Sequence, residues 1–187
     1  MAKKILILNG GPRLNGNTME LIKAFTAGAE EAGAEVVRFD LDRMNIHGCK
    51  GCLGGGKNPD SPCMQKDDME KVYPEYKAAD ILVFASPLYY WGLTGQLKIA
   101  IDRLFAVTES DPNWATPKKS IALLMASEGK GDANSAPILS YLESLGGFLE
   151  WPNLGHVIAG GNLRVGDIKG KPEIEEARAF GAKCAAE

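Results

Sequence analysis

A chain of 187 residues, 45% hydrophobic and 24% charged, has the make-up of a globular protein, and its length suits one domain over residues 1–187. A net charge of −3, from 21 basic against 24 acidic residues, offers no basic face for nucleic acid. No apolar run approaches membrane-spanning length, the N-terminus enters a strand pattern at once, and four cysteines do not make a disulfide framework, so the expected setting is the cytoplasm.

In chain order, residues 3–9 (KKILILN) form a continuous apolar run of strand length, and residues 18–32 then carry a helical pattern ending at Gly33, a natural left-handed cap. Residues 34–41 alternate apolar and polar, as an edge strand does. A long glycine-rich connection follows, and Asp67 and Glu70 mark the start of a short helix that Pro74 is expected to interrupt. Residues 79–86 and 119–127 are further apolar runs, suited to strands buried on both faces. Residues 94–105 set Leu97, Ala100, Ile101, Leu104 and Phe105 on one helical face. A helix over 135–145 is expected to carry Pro137 in its first turn and to stop at Gly146-Gly147. Residues 155–161 are the fifth strand, and Pro172 opens a last helix with Glu173, Glu175 and Glu176 at its positive end. Five strands alternating with helices predict an α/β, doubly wound parallel sheet covered on both faces. In such sheets ligands sit just beyond the carboxyl ends of the strands.

The loop after the first strand reads NGGPRLNGNT, residues 9–18. It fits the frame of a nucleotide-triphosphate loop except for the lysine, replaced by Asn17. Glycines and a helix start converge backbone N–H groups on an anion. Asn15, Asn17 and Thr18 add neutral donors and Arg13 a charged fork. Without the lysine, and with no acidic residue placed to hold magnesium, the loop suits one terminal phosphate with no phosphoryl chemistry done to it. The plainer alternative is a Gly/Asn-rich turn with no ligand. The spacing does not match a dinucleotide fingerprint.

The loop after the third strand reads SPLYYWG, residues 86–92. Pro87 restricts the residue before it, and Gly92 is expected to permit an open backbone. Tyr89, Tyr90 and Trp91 lie where the sheet has ended. They suit stacking on a flat heteroaromatic ligand, or a subunit interface, or both.

With both loops in view, the chain resembles the NAD(P)H-dependent FMN reductase-like flavoproteins of flavodoxin fold, and in particular the branch that includes the iron–sulfur flavoproteins. The first loop of that family, G-S-P-R-x-x-G-N-T, is matched by Pro12, Arg13, Gly16, Asn17 and Thr18, with Gly11 in place of the serine. Its second, S-P-x-Y then a glycine and a helix ending I-D-R, is matched by Ser86, Pro87, Tyr89, Gly92 and residues 101–103. The resemblance implies a sheet of order 2-1-3-4-5 and FMN held by its phosphate at Gly11, Pro12, Arg13, Asn15, Asn17 and Thr18. It places the isoalloxazine against Pro87, Leu88, Tyr89, Tyr90, Trp91 and Gly92, with a third contact at Ser127, Glu128 and Gly129. The Gly11 departure removes one hydroxyl donor and leaves the backbone cradle.

Cys49, Cys52 and Cys63 lie in the glycine-rich connection after the second strand. The related iron–sulfur flavoproteins carry a four-cysteine [4Fe–4S] motif there; here Gly55 stands where a third ligand is expected, so no metal is the leading expectation. Three thiolates with an outside ligand such as His47, a zinc site, and a C-x-x-C dithiol at Cys49 and Cys52 are the alternatives. Cys184 reads as a small core residue, and His47 and His156 alone carry no argument. The resemblance implies an FMN-dependent oxidoreductase passing electrons from NAD(P)H to a small acceptor (a quinone, a nitro or azo compound, or free flavin), assembled as a homodimer or homotetramer. No catalytic side chain is nominated, because the flavin carries the chemistry. A flavodoxin-type electron carrier and a non-enzymatic binding module are the rivals.

Overall fold

The computed structural model describes residues 2–56 and 58–187. Five strands, β1 (Lys4–Asn9), β2 (Glu35–Asp40), β3 (Ile81–Pro87), β4 (Ser120–Ala126) and β5 (Asn153–Ala159), pair in the order β2-β1-β3-β4-β5. Every pairing is parallel, so all five strands end on one side. The order reverses between β1 and β3, and the crevice of a doubly wound sheet opens there.

Alternate residues of each strand face opposite sides of the sheet, which divides the core in two. Ile5, Ile7, Val83 and Leu124 face α1 (Asn17–Glu31) and α6 (Glu173–Ala186). Leu6, Leu8, Phe84 and Leu123 face α2 (Met69–Ala78), α3 (Gly95–Arg103), the short α4 (Phe105–Glu109) and α5 (Asp132–Leu149). Helices α1 and α6 lie unusually close. A Cβ on Gly28 would strike the Arg178 carbonyl, and one on Gly181 the Phe25 carbonyl, while Phe25 and Phe180 meet edge to face at 5.7 Å. As expected, Gly33 takes a left-handed φ of 91° after α1.

Several boundaries depart from the sequence pattern. Pro74 does not interrupt α2: Met69, Val72, Tyr73 and Tyr76 are all buried by it, and that packing outweighs one lost backbone hydrogen bond. Helix α5 starts at Asp132 and runs through Gly146 and Gly147 to end at Glu150, itself left-handed. Gly146 is needed there for space, since a Cβ would lie 2.9 Å from the Trp151 carbonyl oxygen. The helix expected over 94–105 breaks at Leu104 into α3 and α4, and β5 lies two residues earlier than the pattern placed it.

Lys119, at the start of β4, is buried. Its ammonium lies 4.8 Å from the centre of the Tyr76 ring and donates to the Ala79 carbonyl at 2.5 Å. Burial pulls its pKa down to about 8, with Asp80 opposing. The unfolded chain therefore holds this proton up to higher pH than the folded one does. The cost of the buried charge is full below pH 8 and disappears as pH rises towards 10.5. Denaturant titrations at pH 7.5 and pH 10 should show the wild type gaining stability relative to Lys119→Met; a pH-independent difference would contradict this.

Candidate functional site

At the carboxyl end of β1 the chain is fixed before it turns. Buried Asn9 donates to Asp40 at 2.8 Å and accepts from the Gly11 amide at 2.9 Å, while the Gly10 amide donates to Ala85 of β3 at 2.8 Å. The turn then delivers residues 13–15 to solvent and starts α1 at Asn17. Gly16, the residue before the helix, provides no side-chain cap. The N–H groups of Asn17, Thr18 and Met19 are thus unfilled by the helix, and the positive end of its dipole is open.

A cleft faces that helix start. It is walled by Gly11, Pro12, Arg13, Asn17 and Thr18 on one side and by Pro87, Tyr89 and Ala126 on the other. The exposed Arg13 guanidinium has no partner among the described residues, nor does the hydroxyl of Thr18, a residue otherwise largely buried. Asn15 is exposed and outside the lining. Asn17 is placed differently from a phosphate donor: its amide nitrogen donates to the Arg164 carbonyl at 2.9 Å, and its oxygen accepts from the Gly166 amide at 3.0 Å. Its side chain ties α1 to the loop after β5, and its backbone N–H is what it offers the cleft.

The second wall is a tight turn. Tyr89 and Gly92 exchange both backbone hydrogen bonds, at 3.0 and 3.1 Å, with Tyr90 and Trp91 between them. Those two have φ of 48° and 61°, a conformation normally left to Asn-Gly, and costing about 1 kcal/mol or more apiece. The left-handed residues are the two aromatics, and Gly92 is not among them. All three aromatics are exposed, Tyr90 at 97%. Leu88, anchored through its amide to Ala126 at 2.9 Å, borders an adjoining hollow with Tyr90, Trp91, Ser127, Glu128 and Gly129. Gly92 instead lines a separate apolar hollow with Lys98 and Tyr141. The three predicted segments thus meet along one edge of the sheet.

The fourth wall was missed. Asn162 and Leu163, after β5, line the same cleft. The same rule that pointed to the loops after β1, β3 and β4 applies to β5, and Asn162, beside Gly160-Gly161, was legible on that ground.

The cysteines are arranged otherwise. Cys49 and Cys52 are exposed, Cys63 is half-buried beside Tyr73, and Cys184 is buried, its thiol pushed up to about 12 by burial. No group of three or more His, Cys, Asp or Glu among the described residues is placed to hold a metal ion. Gly55 has no room for a side chain: a Cβ would lie 2.6 Å from both a Glu109 carboxylate oxygen and the Pro62 carbonyl. A four-thiolate cluster does not fit this segment. What holds it is a charge. Arg103, 1% exposed, reaches from α3 to pair with buried Asp67 at 2.6 Å and to donate to the His47 carbonyl at 2.7 Å.

The comparisons agree with the geometry. The model of the NADPH-dependent FMN reductase family matches residues 3–159, which contain both loops. The chain belongs to that family. Its members are oxidoreductases, with FMN as cofactor and NAD(P)H as co-substrate. An iron–sulfur flavoprotein of Methanocaldococcus jannaschii is 32% identical over 68% of this chain and 64% of its own length, so the chain spans less than two thirds of that relative. A putative NAD(P)H-dependent FMN-containing oxidoreductase of Bacillus subtilis is 28% identical over 88% of each chain. Among solved structures, an NAD(P)H:quinone oxidoreductase from Methanothermobacter marburgensis superposes with a TM-score of 0.75 at 21% identity, covering 98% of this chain and 96% of that one, and shares the fold.

Burial alone would raise the Asp67 carboxyl. The Arg103 guanidinium and the His47 and Met69 amides more than offset this and hold it below its usual 3.8. The stability it contributes is complete above pH 4 or so and is lost as pH falls through the lowered folded value. Asp67→Asn leaves the guanidinium buried without a counter-charge, and calorimetry at pH 7 should show a loss of about 3–5 kcal/mol. That deficit should shrink as pH falls below 3.8.

Proposed function

We propose that this chain is a flavin reductase in which FMN is anchored by its phosphate at the start of α1 and lies along the Pro87–Trp91 turn, passing electrons from NAD(P)H to a small acceptor such as a quinone, a nitro or azo compound, or free flavin. The observation that carries the reading is the uncapped start of α1, flanked by Arg13 and Thr18, whose side chains have no partner among the described residues, in a cleft that opens onto exposed aromatics. When bound, FMN supplies the acceptance and return of a hydride, so no side chain has to act as acid or base. The chain's share is placement. Backbone N–H groups and Arg13 hold the anionic tail. The exchange of hydrogen bonds between Tyr89 and Gly92 fixes a shelf that keeps water from one ring face, and the loop 127–129 lies at its edge. The FMN-bound azoreductase of Bacillus anthracis, of the same fold, supports the choice of cofactor.

Anaerobic mixing of the FMN-loaded protein with NADPH or NADH tests the reading. Bleaching of the flavin within a turnover time is the expected result, and a persistent oxidised spectrum with both coenzymes would make the protein a carrier instead. Arg13→Ala should weaken FMN binding about tenfold by fluorescence titration, the usual scale for one charge-assisted hydrogen bond.

The reading includes a second copy of the chain. An apolar groove of about 620 Å³ runs along α3, α4 and α5 between Phe105, Trp114, Leu145 and Phe148, the last 86% exposed. Lys98 and Tyr141 line both this groove and the hollow beneath Trp91, so the face continues to the flavin shelf. A contiguous apolar face of this kind marks an interface. Sedimentation equilibrium should give twice the chain mass or more, and Phe148→Glu should reduce it to one chain. A wild type that sediments as a monomer would refute the pairing.

A further inference from the structure

Behind the ring-side hollow, the loops after β4 and β5 cross. The Gly161 amide donates to the Glu128 carbonyl at 3.0 Å and the Asn162 amide to the Ser127 carbonyl at 2.8 Å. At this crossing two lysines converge on Gly161: the ammonium nitrogens of Lys130 and Lys171 lie 3.3 and 3.5 Å from the point a Cβ there would occupy. Gly161 has a φ of 71°, and its missing side chain is what lets the Lys130 stem cross the turn.

Neither lysine has an ion-pair partner among the described residues. Lys171 spends its donors on three neutral oxygens, the Gly160 and Gly161 carbonyls and the Asn162 side chain, at 2.8, 2.9 and 2.9 Å. An ammonium has three donors, so none is left over, but its charge remains. Lys130 has no hydrogen-bond or ion-pair partner among the described residues. Asp167 feels Lys171 at longer range, yet one of its carboxylate oxygens is taken by the Leu163 and Arg164 amides. Two like charges held together without a carboxylate repel one another unless an anion joins them.

We propose that Lys130, in the field of Lys171, holds a phosphate group of the nicotinamide coenzyme. The proposal rests on the reductase reading above and names a coenzyme subsite within it. Lys130 is one residue beyond Gly129, which lines the ring-side hollow where the nicotinamide has to meet the flavin. A polar hollow of about 270 Å³ on the far side of the same loop shares Ser127, Gly129 and Asn134 with it and offers the adenosine end a place. Glu176 lines that second hollow, so the phosphate belongs at the lysines and not deeper. Uncharged quinone, nitro and azo acceptors have no phosphate to put there.

The test compares wild type, Lys130→Gln and Lys183→Gln, the last removing an equal charge from the far end of α6. Binding of NADP+ to the FMN-loaded protein is followed by calorimetry, and KM for NADPH and NADH is measured with an uncharged quinone as acceptor. Lys130→Gln should raise Kd and the NADPH KM about tenfold with kcat and FMN content unchanged, an effect that weakens at high salt; Lys183→Gln should change neither. A KM rise for NADPH alone assigns the 2′-phosphate, and an equal rise for NADH assigns the pyrophosphate. If the coenzyme reduces the flavin and Lys130→Gln leaves Kd and both KM values at wild-type levels, the subsite is refuted and the reductase reading survives. If neither coenzyme bleaches the wild type, that reading falls and the subsite with it.

Discussion

Everything at the carboxyl edge of the sheet depends on the absence of a side chain at Gly10. A Cβ there would strike the Thr94 hydroxyl and lie 2.7 Å from the Leu97 Cβ. Thr94 caps α3 by accepting from the Leu97 amide, and its own amide donates to Ser86 Oγ at 3.0 Å, at the end of β3. The Gly10 amide reaches Ala85 of the same strand. The end of β1, the end of β3 and the start of α3 therefore close on one point with no atom to spare. Because interiors are packed to crystal density, a shift at that point would move both loops together. The spacing between the uncapped start of α1 and the aromatic turn is set there.

A second tether runs the other way. Asn17 opens α1, yet its side chain is consumed in holding residues 164–168. The last loop is thereby tied to the first, and Asn162 and Leu163 line the same cleft as Pro87. A residue type that suits phosphate binding serves here as a brace, and the groups still open at the start of α1 are the backbone N–H groups, Arg13 and Thr18. Such a site depends less on side-chain identity than on where the helix starts. This is why Gly11, in the position of a serine, leaves the cradle standing.

Much of this was legible from the residues. Continuous apolar runs flag strands buried on both faces, and β1, β3 and β4 fall where those runs are, with the alternating β2 at the edge. The loops after β1 and β3 stand out because glycine, proline and exposed aromatics are gathered just past the ends of buried strands. What was not legible depended on tertiary neighbours. Pro74 looks like a helix breaker until four buried side chains of α2 hold the helix through it. Gly146 looks like a stop but is a contact point with the Trp151 carbonyl. No local pattern assigns left-handed backbone to Tyr90 and Trp91, since propensity argues against both. The Asn17 brace spans 147 residues of sequence and leaves no periodic trace.

The segment with the three cysteines shows the same logic carried further. In a cluster-bearing loop, thiolates would draw the chain around a metal and supply its rigidity. What fixes the described part of this segment is a buried ion pair: the Arg103 and Asp67 side chains are both essentially inaccessible, and the guanidinium also gathers the His47 and Gln65 carbonyls. A buried pair of this kind gives little net stability over an apolar one, but removing either member is costly, so it fixes one conformation and penalises the others. The arginine that fixes the segment closes the Ile101-Asp102-Arg103 sequence of α3, the helix whose start is wedged against Gly10. Helix α3 thus carries restraint from one end of this edge to the other, holding the loops after β1 and β3 at its first turn and the cysteine loop at its last.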